Sequence, residues 1–233
     1  MKAISVVVAV LLSLSPIGAS AAETRPVVVE LFTSQGCSSC PPADKLLGEL
    51  AKRRDVIALG FHITYWDGAA WRDPFSRPAS TERQTAYDKR LTDGQIYTPQ
   101  MVIDGTVDAI GSDRDAVLAA IGAAKPETTA PVVFAGDRRS VAIGPGTLTG
   151  AGKGQVLLVR FVRSRTTHVA GGENADRTAL DNNAVEVLAT LGAWDGNTVN
   201  YPIEPPGEGQ GVAVLVQAPD GEILGAAALS GAS

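Results

Sequence analysis

Cys37 and Cys40 are the two cysteines of the chain, and their spacing constrains the fold more than any other feature. The apolar run at 27–32, just before them, is typical of a buried strand. Pro41 and Pro42 follow, and proline is tolerated in the first turn of a helix because its N–H would be unpaired there. One thiol then lies beside the positive helix end, which stabilises its anion, and the other lies about one turn away. The pattern predicts a redox pair in which Cys37 attacks and Cys40 resolves.

The residues around the pair predict an α/β unit in the first half of the chain. A helix from 42 to about 51 and a second apolar strand at 56–63 complete a right-handed strand–helix–strand crossover. Further elements are expected in chain order: a helix over 81–91 with Ser80 as N-cap, strands at 100–104 and 107–110, and a helix over 113–124 with Ser112 as N-cap.

The second half of the chain has a different pattern. Two prolines and two threonines interrupt the sequence at 125–131, and we place a domain boundary there, between domains at 24–126 and 130–233. A helix is expected around 183–191. Short strands separated by turns predict a mostly antiparallel, β-sandwich-like domain. Its expected strands are 131–134, 139–143, 155–162, 166–170, 211–217 and 223–229.

The first 22 residues have the pattern of a signal peptide. Lys2 supplies a positive charge, the apolar run at 4–14 is too short to span a bilayer, and small residues at 19–22 offer a cleavage site. We therefore expect a periplasmic or secreted protein without a membrane segment after cleavage. The net charge of −5 and the 5% of aromatic residues argue against a nucleic-acid partner.

Other interpretations of the cysteine pair remain open. It could be a purely structural disulfide, or half of a zinc site, although the chain has no second Cys-x-x-Cys and only two histidines, His62 and His168. Copper bound by Cys37, Cys40 and His62 is the main alternative function, because thiolates and imidazole suit copper. The oxidoreductase interpretation requires no cofactor. A polar loop at 171–174, followed by Arg177, is a candidate contact between the two halves.

The segment 32–44, FTSQGCSSCPPAD, resembles the active-site segment of thioredoxin-like proteins, and 97–101, YTPQM, is similar to their second signature. The resemblance is closer to a family of secreted thioredoxin-like bacterial proteins, the domain of unknown function DUF1223, over essentially the whole mature chain. The motifs that carry it are 31–40, 61–67, 71–75, 98–100 and 172–174.

The resemblance implies that Pro99 is the cis-proline that faces the pair in thioredoxin-like proteins. The backbone of Thr98 would then pair with an extended client peptide. An aromatic-rich loop at 64–78 contains Trp66 and Trp71, which are expected either to form a substrate wall beside the cysteines or to pack as a small satellite core. Gly36, immediately before Cys37, replaces the tryptophan of thioredoxin.

Glu30 interrupts the apolar run of the first strand. A buried ionised carboxylate is costly unless it is paired. Thioredoxin-like proteins often hold a buried acid beneath the pair, and the hypothesis from this resemblance is that Glu30 deprotonates Cys40. The alternative is that Glu30 hydrogen-bonds the turn at 33–36. Together these features predict an exported thiol–disulfide oxidoreductase whose client is a protein or small-molecule thiol or disulfide; they indicate neither the direction of electron flow nor the oligomeric state.

Overall fold

The computed structural model describes residues 24–124, 126–148 and 152–231. The predicted signal peptide at 1–22 lies outside the described residues. Within the described ranges, no helix is long and apolar enough to cross a membrane.

The first half of the chain contains three helices and four strands, close to the predicted elements. The strands are β1 (Val27–Thr33), β2 (Val56–His62), β3 (Gln100–Ile103) and β4 (Val107–Ile110). The helices are α1 (Pro41–Leu50), α2 (Pro78–Leu91) and α3 (Arg114–Ala123).

The second half is β-rich, as predicted. Its strands are β5 (Val132–Phe134), β6 (Ser140–Ile143), β7 (Gly154–His168), β8 (Thr178–Trp194), β9 (Val199–Pro202), β10 (Gln210–Gln217) and β11 (Ile223–Ser230).

One mixed sheet of eight strands runs through both halves, in the order β11-β10-β7-β8-β2-β1-β3-β4. β1 and β2 are parallel, whereas β3 and β4 add antiparallel strands at one edge. β8 joins the second half to the first by pairing parallel with β2, where Ala184 lies opposite Gly60. The two halves therefore share one sheet.

Alternating side chains of β1 fill two different cores. Val27, Val29 and Leu31 pack with buried residues of α1 and α3 on one face. Val28 and Phe32 point to the other face, into a core that also contains residues of β7, β8, β10 and β11. This period-two alternation is what a strand buried on both faces produces.

A small antiparallel sheet, β5-β6-β9, packs against the strands of the large sheet that come from the second half of the chain. Val141 and Ile143 of β6 share a core with Val212 and Val214 of β10, and with the buried Trp194. The predicted sandwich is thus formed by this small sheet and part of the large one.

Several local predictions were wrong. The expected helix at 183–191 is part of the 17-residue strand β8. β8 pairs with β7 along its length, and two bulges, at Val156/Leu157 and Arg160/Phe161, shift the register. Such shifts disturb the period-two alternation and make the apolar spacing look helical. The segment 166–170 is no separate strand, since β7 continues to His168, and β9 was not predicted.

The predicted helix caps also differ. Arg77 is the N-cap of α2, where a proline at the first helical position starts the helix before Ser80. Asp113 caps α3 in place of Ser112, because its side chain accepts a hydrogen bond from the N–H of Ala116.

Candidate functional site

Cys37 and Cys40 form a disulfide at the start of α1, and both are fully buried. The loop from Ser34 folds as two successive turns, in which Cys37 N–H donates to the Ser34 carbonyl and Cys40 N–H donates to the Cys37 carbonyl. Cys40 is the N-cap of α1. The pair therefore lies at the helix end where N–H groups favour a thiolate.

Thr98, Trp66 and Ser39 surround the sulfur of Cys37. The hydroxyl of Thr98 lies 3.5 Å from Cys37 Sγ and accepts a hydrogen bond of 2.8 Å from Trp66 Nε1. Ser39 Oγ lies 3.4 Å from the same sulfur. The Thr98–Pro99 peptide bond is cis. The structure thus brings together the predicted substrate-binding residues Thr98, Pro99 and Trp66 beside Cys37.

The aromatic loop at 64–78 approaches the loop at 34–40, which we call the redox loop after its predicted redox pair. A Cβ on Gly36 would lie 3.2 Å from the Trp66 carbonyl oxygen, so a larger residue at this position would press on that backbone. Trp66 is 37% exposed, so part of its side chain faces solvent. Trp71 lies further along the loop, against Gly172 of the second half, and is not among the residues that hydrogen-bond around Cys37.

Glu30 belongs to a buried group that we call the α2 cluster, formed by Glu30, Arg83 and Tyr87. Arg83 Nε donates to Glu30 Oε2 and Arg83 Nη2 donates to Oε1 at 2.9 Å. Tyr87 donates its hydroxyl to Oε1 at 2.6 Å. Burial and the neighbouring carboxylate raise the pKa of Tyr87, so it stays a donor. Both oxygens of Glu30 are thus bound by donors from α2, which is the environment of a structural ion pair.

Asp44 is the first acidic residue of α1 after the cysteine pair. It lies one turn after Cys40, and its N–H donates to the Cys40 carbonyl. Its carboxylate accepts a hydrogen bond of 2.7 Å from Thr33 Oγ1, at the end of β1. Burial raises the pKa of Asp44 to about 7, and the hydrogen bond from Thr33 only partly opposes this. Helical side chains lean towards the preceding turn, which directs Asp44 towards Cys40.

A second buried ionic group lies beneath the redox loop; we call His62, Asp73, Asp181 and Gln35 the loop cluster. His62 Nδ1 lies 2.7 Å from Asp73 Oδ2, and its Nε2 lies 3.8 Å from Asp181 Oδ1. Burial disfavours the charged imidazole, but the carboxylates outweigh this effect and raise the pKa of His62 to about 9. Asp73 also accepts a hydrogen bond from the N–H of Gln35, and the Gln35 side chain donates to Asp181.

His62 therefore directs both ring nitrogens towards carboxylates. The described ranges contain no group of three or more His, Cys, Asp or Glu residues placed to hold a metal ion. This geometry offers no support to the copper alternative with Cys37, Cys40 and His62.

The second half of the chain supplies part of the site. Asn174 Nδ2 donates to the carbonyl oxygens of Gln35 and Cys37, at 3.0 and 2.8 Å. Glu173 Oε2 lies 3.4 Å from the N–H of Ser38. The predicted contact loop at 171–174 thus holds the backbone of the redox loop, through Asn174 more than through Glu173 or Arg177.

Sequence reasoning did not single out Asp44, Asp73, Asp181 or Gln35, and it included Asn174 only as part of the candidate contact loop at 171–174. For Asp44 a signal existed, because an acid four residues after Cys40 shares its helix face. Asp181 and Asn174 are more than 130 residues from the loop they contact, and no local pattern connects them.

A model of a family of proteins of unknown function, DUF1223, matches residues 28–217. The chain belongs to this family. A crystal structure of a protein from Agrobacterium tumefaciens is similar to this DUF1223 protein, with 32% identity and a TM-score of 0.75 over 91% of this chain and 97% of that one. HBP35 of Porphyromonas gingivalis shares the fold at 16% identity and a TM-score of 0.57, over 89% of this chain and 76% of its own. No curated protein matches the chain.

Proposed function

We propose that this DUF1223 protein is an exported thiol–disulfide oxidoreductase with a thioredoxin-like first half. One observation carries the proposal: the Cys37 sulfur, bonded to Cys40 at the N-cap of α1, lies 3.5 Å from the hydroxyl of Thr98, the residue before cis-Pro99. A nucleophilic thiolate, a resolving thiol and an adjacent peptide backbone are the three components that disulfide exchange with a client requires.

The reduced pair would act on a client disulfide in two steps. The Cys37 thiolate attacks one client sulfur, so that a mixed disulfide forms and the first client thiolate leaves. Cys40 then loses its proton and attacks the Cys37 sulfur, which re-forms the Cys37–Cys40 disulfide and releases the second client thiolate. Two electrons pass from the pair to the client, and the reverse sequence oxidises a client dithiol.

The surroundings of Cys37 support its role as the nucleophile. The hydroxyls of Thr98 and Ser39 can donate to its thiolate, and hydrogen bonds to the charged form favour that form. The exposed Trp66 beside Thr98 provides an apolar surface for the client.

Asp44 is the proton acceptor that we propose for Cys40. Two observations support this role: Asp44 lies one turn after Cys40, with its N–H bonded to the Cys40 carbonyl, and the partner of its carboxylate is a hydroxyl, that of Thr33. A group with a pKa near the working pH transfers protons most efficiently. Glu30, the acceptor expected from the sequence, is held by Arg83 and Tyr87, and we propose for it a structural role.

Export is supported by the signal-peptide pattern at 1–22. Disulfides persist in oxidising compartments such as the bacterial periplasm, where a Cys-x-x-Cys pair meets redox partners. We therefore propose a periplasmic or secreted location, with thiol or disulfide clients as partners.

The proposal is tested by trapping the mixed disulfide. A Cys40→Ser variant, incubated with a peptide that contains a disulfide, should accumulate a covalent adduct on Cys37 that dithiothreitol releases. Cys37→Ser should form no such adduct, and Ser38→Ala, on an exposed residue between the cysteines, should behave like the wild type. If Cys40→Ser and Cys37→Ser form adducts equally slowly, at the rate of a free thiol in solution, the proposal is wrong. Thiols that react only after a chelator is added would instead favour copper binding.

A further inference from the structure

A cavity of about 480 Å³ separates α1 from the segment 169–182 of the second half. Its volume is within the range of small-molecule sites. Pro41, Val169 and Leu180 contribute apolar surface to its wall. Thr98 and Ser39, the neighbours of the Cys37 sulfur, do not line it. The cavity therefore does not include these neighbours of the Cys37 sulfur, although Gln35, Asp44 and Asn174 contribute both to its wall and to the surroundings of the redox loop.

One face of α1 forms a side of this cavity. Lys45, Gly48 and Glu49 follow the i, i+3, i+4 spacing of a single helix face, and all three line the cavity. Lys52, in the turn just after α1, lines it as well. At Gly48 an added Cβ would lie 2.6 Å from Asn182 Nδ2, so the helix and β8 approach closely there. The glycine allows this close approach.

The charges around the cavity are mostly positive. Lys45, Lys52 and Arg177 line it, and the structure shows no ion pair for any of the three among the described residues. Glu49 also lines the cavity, but Arg114 binds its carboxylate at 2.6 Å. A cationic cavity stands out in a chain whose net charge is −5.

The other acid of the cavity is Asp44. Because burial raises the pKa of its carboxyl to about 7, Asp44 carries only part of a negative charge at neutral pH. Three lysine and arginine side chains thus face little opposing charge. Leu180 keeps 53% of its surface exposed beside them, so the cavity offers apolar surface close to its cations.

We propose that this cavity binds a small organic carboxylate with an apolar body, such as a medium-chain fatty acid. The apolar body packs against Val169 and Leu180, and the carboxylate lies towards Lys45, Lys52 and Arg177. Apolar walls supply most of the binding free energy, and a few charged groups fix the orientation of the ligand. The inference goes beyond the proposed function, because it requires no thiol chemistry.

Octanoate is the probe for a calorimetric titration of the wild-type protein, with octylammonium as the probe of equal length and opposite charge. Octanoate should bind with one-to-one stoichiometry and more weakly as salt is added, whereas octylammonium should not bind. Removing two cations with Lys45→Gln and Lys52→Gln together should weaken octanoate binding roughly tenfold. Lys89→Gln, on an exposed residue of α2 that does not line the cavity, should leave the affinity unchanged.

A second pair of variants tests the proposed contact between Leu180 and the apolar body of the ligand. Leu180→Asn should weaken octanoate binding, whereas Val187→Asn should not, since Val187 is another exposed apolar residue of β8 but does not line the cavity. 3-Phenylpropanoate serves as a second carboxylate probe, whose apolar body is aromatic instead of an alkyl chain. The proposal is overturned if neither carboxylate binds. Equal binding of octylammonium, or equal effects of the cavity variants and their controls, would also overturn it.

Discussion

The α2 cluster and the loop cluster lie beside the same pair of parallel strands but differ in charge balance. In the α2 cluster one carboxylate, Glu30, is matched by one guanidinium, Arg83, and a tyrosine completes the hydrogen bonds. The loop cluster contains two carboxylates for one histidine, and it is connected to the redox loop through Gln35. We therefore expect the balanced cluster to contribute mainly to stability, and the unbalanced cluster beside the cysteine pair to respond to pH through His62.

The comparison also shows that burial of a carboxyl group does not by itself identify the proton acceptor. Glu30 was the candidate proton acceptor in the sequence because it interrupts an apolar run and matches the buried acid of thioredoxin-like proteins, and it is fully buried. Its partners Arg83 and Tyr87, however, already bind both carboxylate oxygens. Asp44 has a hydroxyl partner and no cation bound to it, so its carboxyl is easier to protonate.

The largest effect is expected in the α2 cluster. Arg83→Met leaves the Glu30 charge buried without its partner, and such a loss costs about 3–5 kcal/mol of stability. Urea unfolding measures the change. Lys89→Met, on the exposed side of the same helix, should change stability by less than about 0.5 kcal/mol. Adding Glu30→Gln to Arg83→Met should restore part of the loss; if the single variant costs under about 1 kcal/mol, the cluster is not the balanced pair described above.

A smaller effect with a distinct pH dependence is expected in the loop cluster. Because the folded-state pKa of His62 is raised to about 9, its contribution to stability is fully present below its unfolded value of about 6.5. That contribution is lost as the pH rises from 6.5 through 9. Asp73→Asn removes the carboxylate at 2.7 Å, so the pKa of His62 should fall and stability at pH 7 should drop by about 2 kcal/mol.

Proton NMR titration of the His62 ring, assigned by comparison with a His168→Gln variant, measures this pKa. Asp55→Asn is a suitable control, since Asp55 forms an exposed ion pair with Arg53. A His62 pKa that is unchanged in Asp73→Asn would contradict the assignment of Asp73 as its main partner.

The smallest expected effect is on the rate of the resolving step, and it distinguishes Asp44 from Glu30 as the proton acceptor. Asp44 accepts a proton only when it is ionised, so the resolving step should accelerate as the pH rises through about 7. Asp44→Asn should remove this inflection and slow exchange by roughly tenfold at neutral pH, a small effect for a general base. Glu30→Gln should leave the pH dependence of the resolving step unchanged. Stopped-flow measurement of that step across the pH range compares the two variants with the wild type. If Glu30→Gln shifts the inflection and Asp44→Asn does not, the roles are reversed.

The raised pKa of Asp44 also makes its contribution to stability depend on pH. Its folded-state pKa lies above the unfolded value, so its contribution to stability falls as the pH rises from about 4 to about 7. Asp44→Asn should therefore be more stable than the wild type at pH 8, by about 1 kcal/mol because Asp44 retains some exposure to water.

The sequence allowed prediction of those parts of the site that depend on local patterns. An apolar strand, a Cys-x-x-Cys loop and a proline-started helix are adjacent in the chain, so β1, Cys37, Cys40 and α1 followed from periodicity and turn chemistry. The cis bond at Pro99 came from the resemblance to thioredoxin-like proteins. The loop cluster could not be predicted, because Asp181 reaches the site through β8, whose bulged pairing with β7 hid the strand pattern.

The reduction potential of the Cys37–Cys40 pair tests the central claim most directly. Thiol alkylation after equilibration in glutathione or dithiothreitol buffers of known potential gives the fraction reduced. We expect a reversible two-electron couple between about −120 and −270 mV, the range of thioredoxin-like oxidants and reductants. A pair that stays oxidised below about −300 mV would be a structural disulfide and would contradict the oxidoreductase proposal.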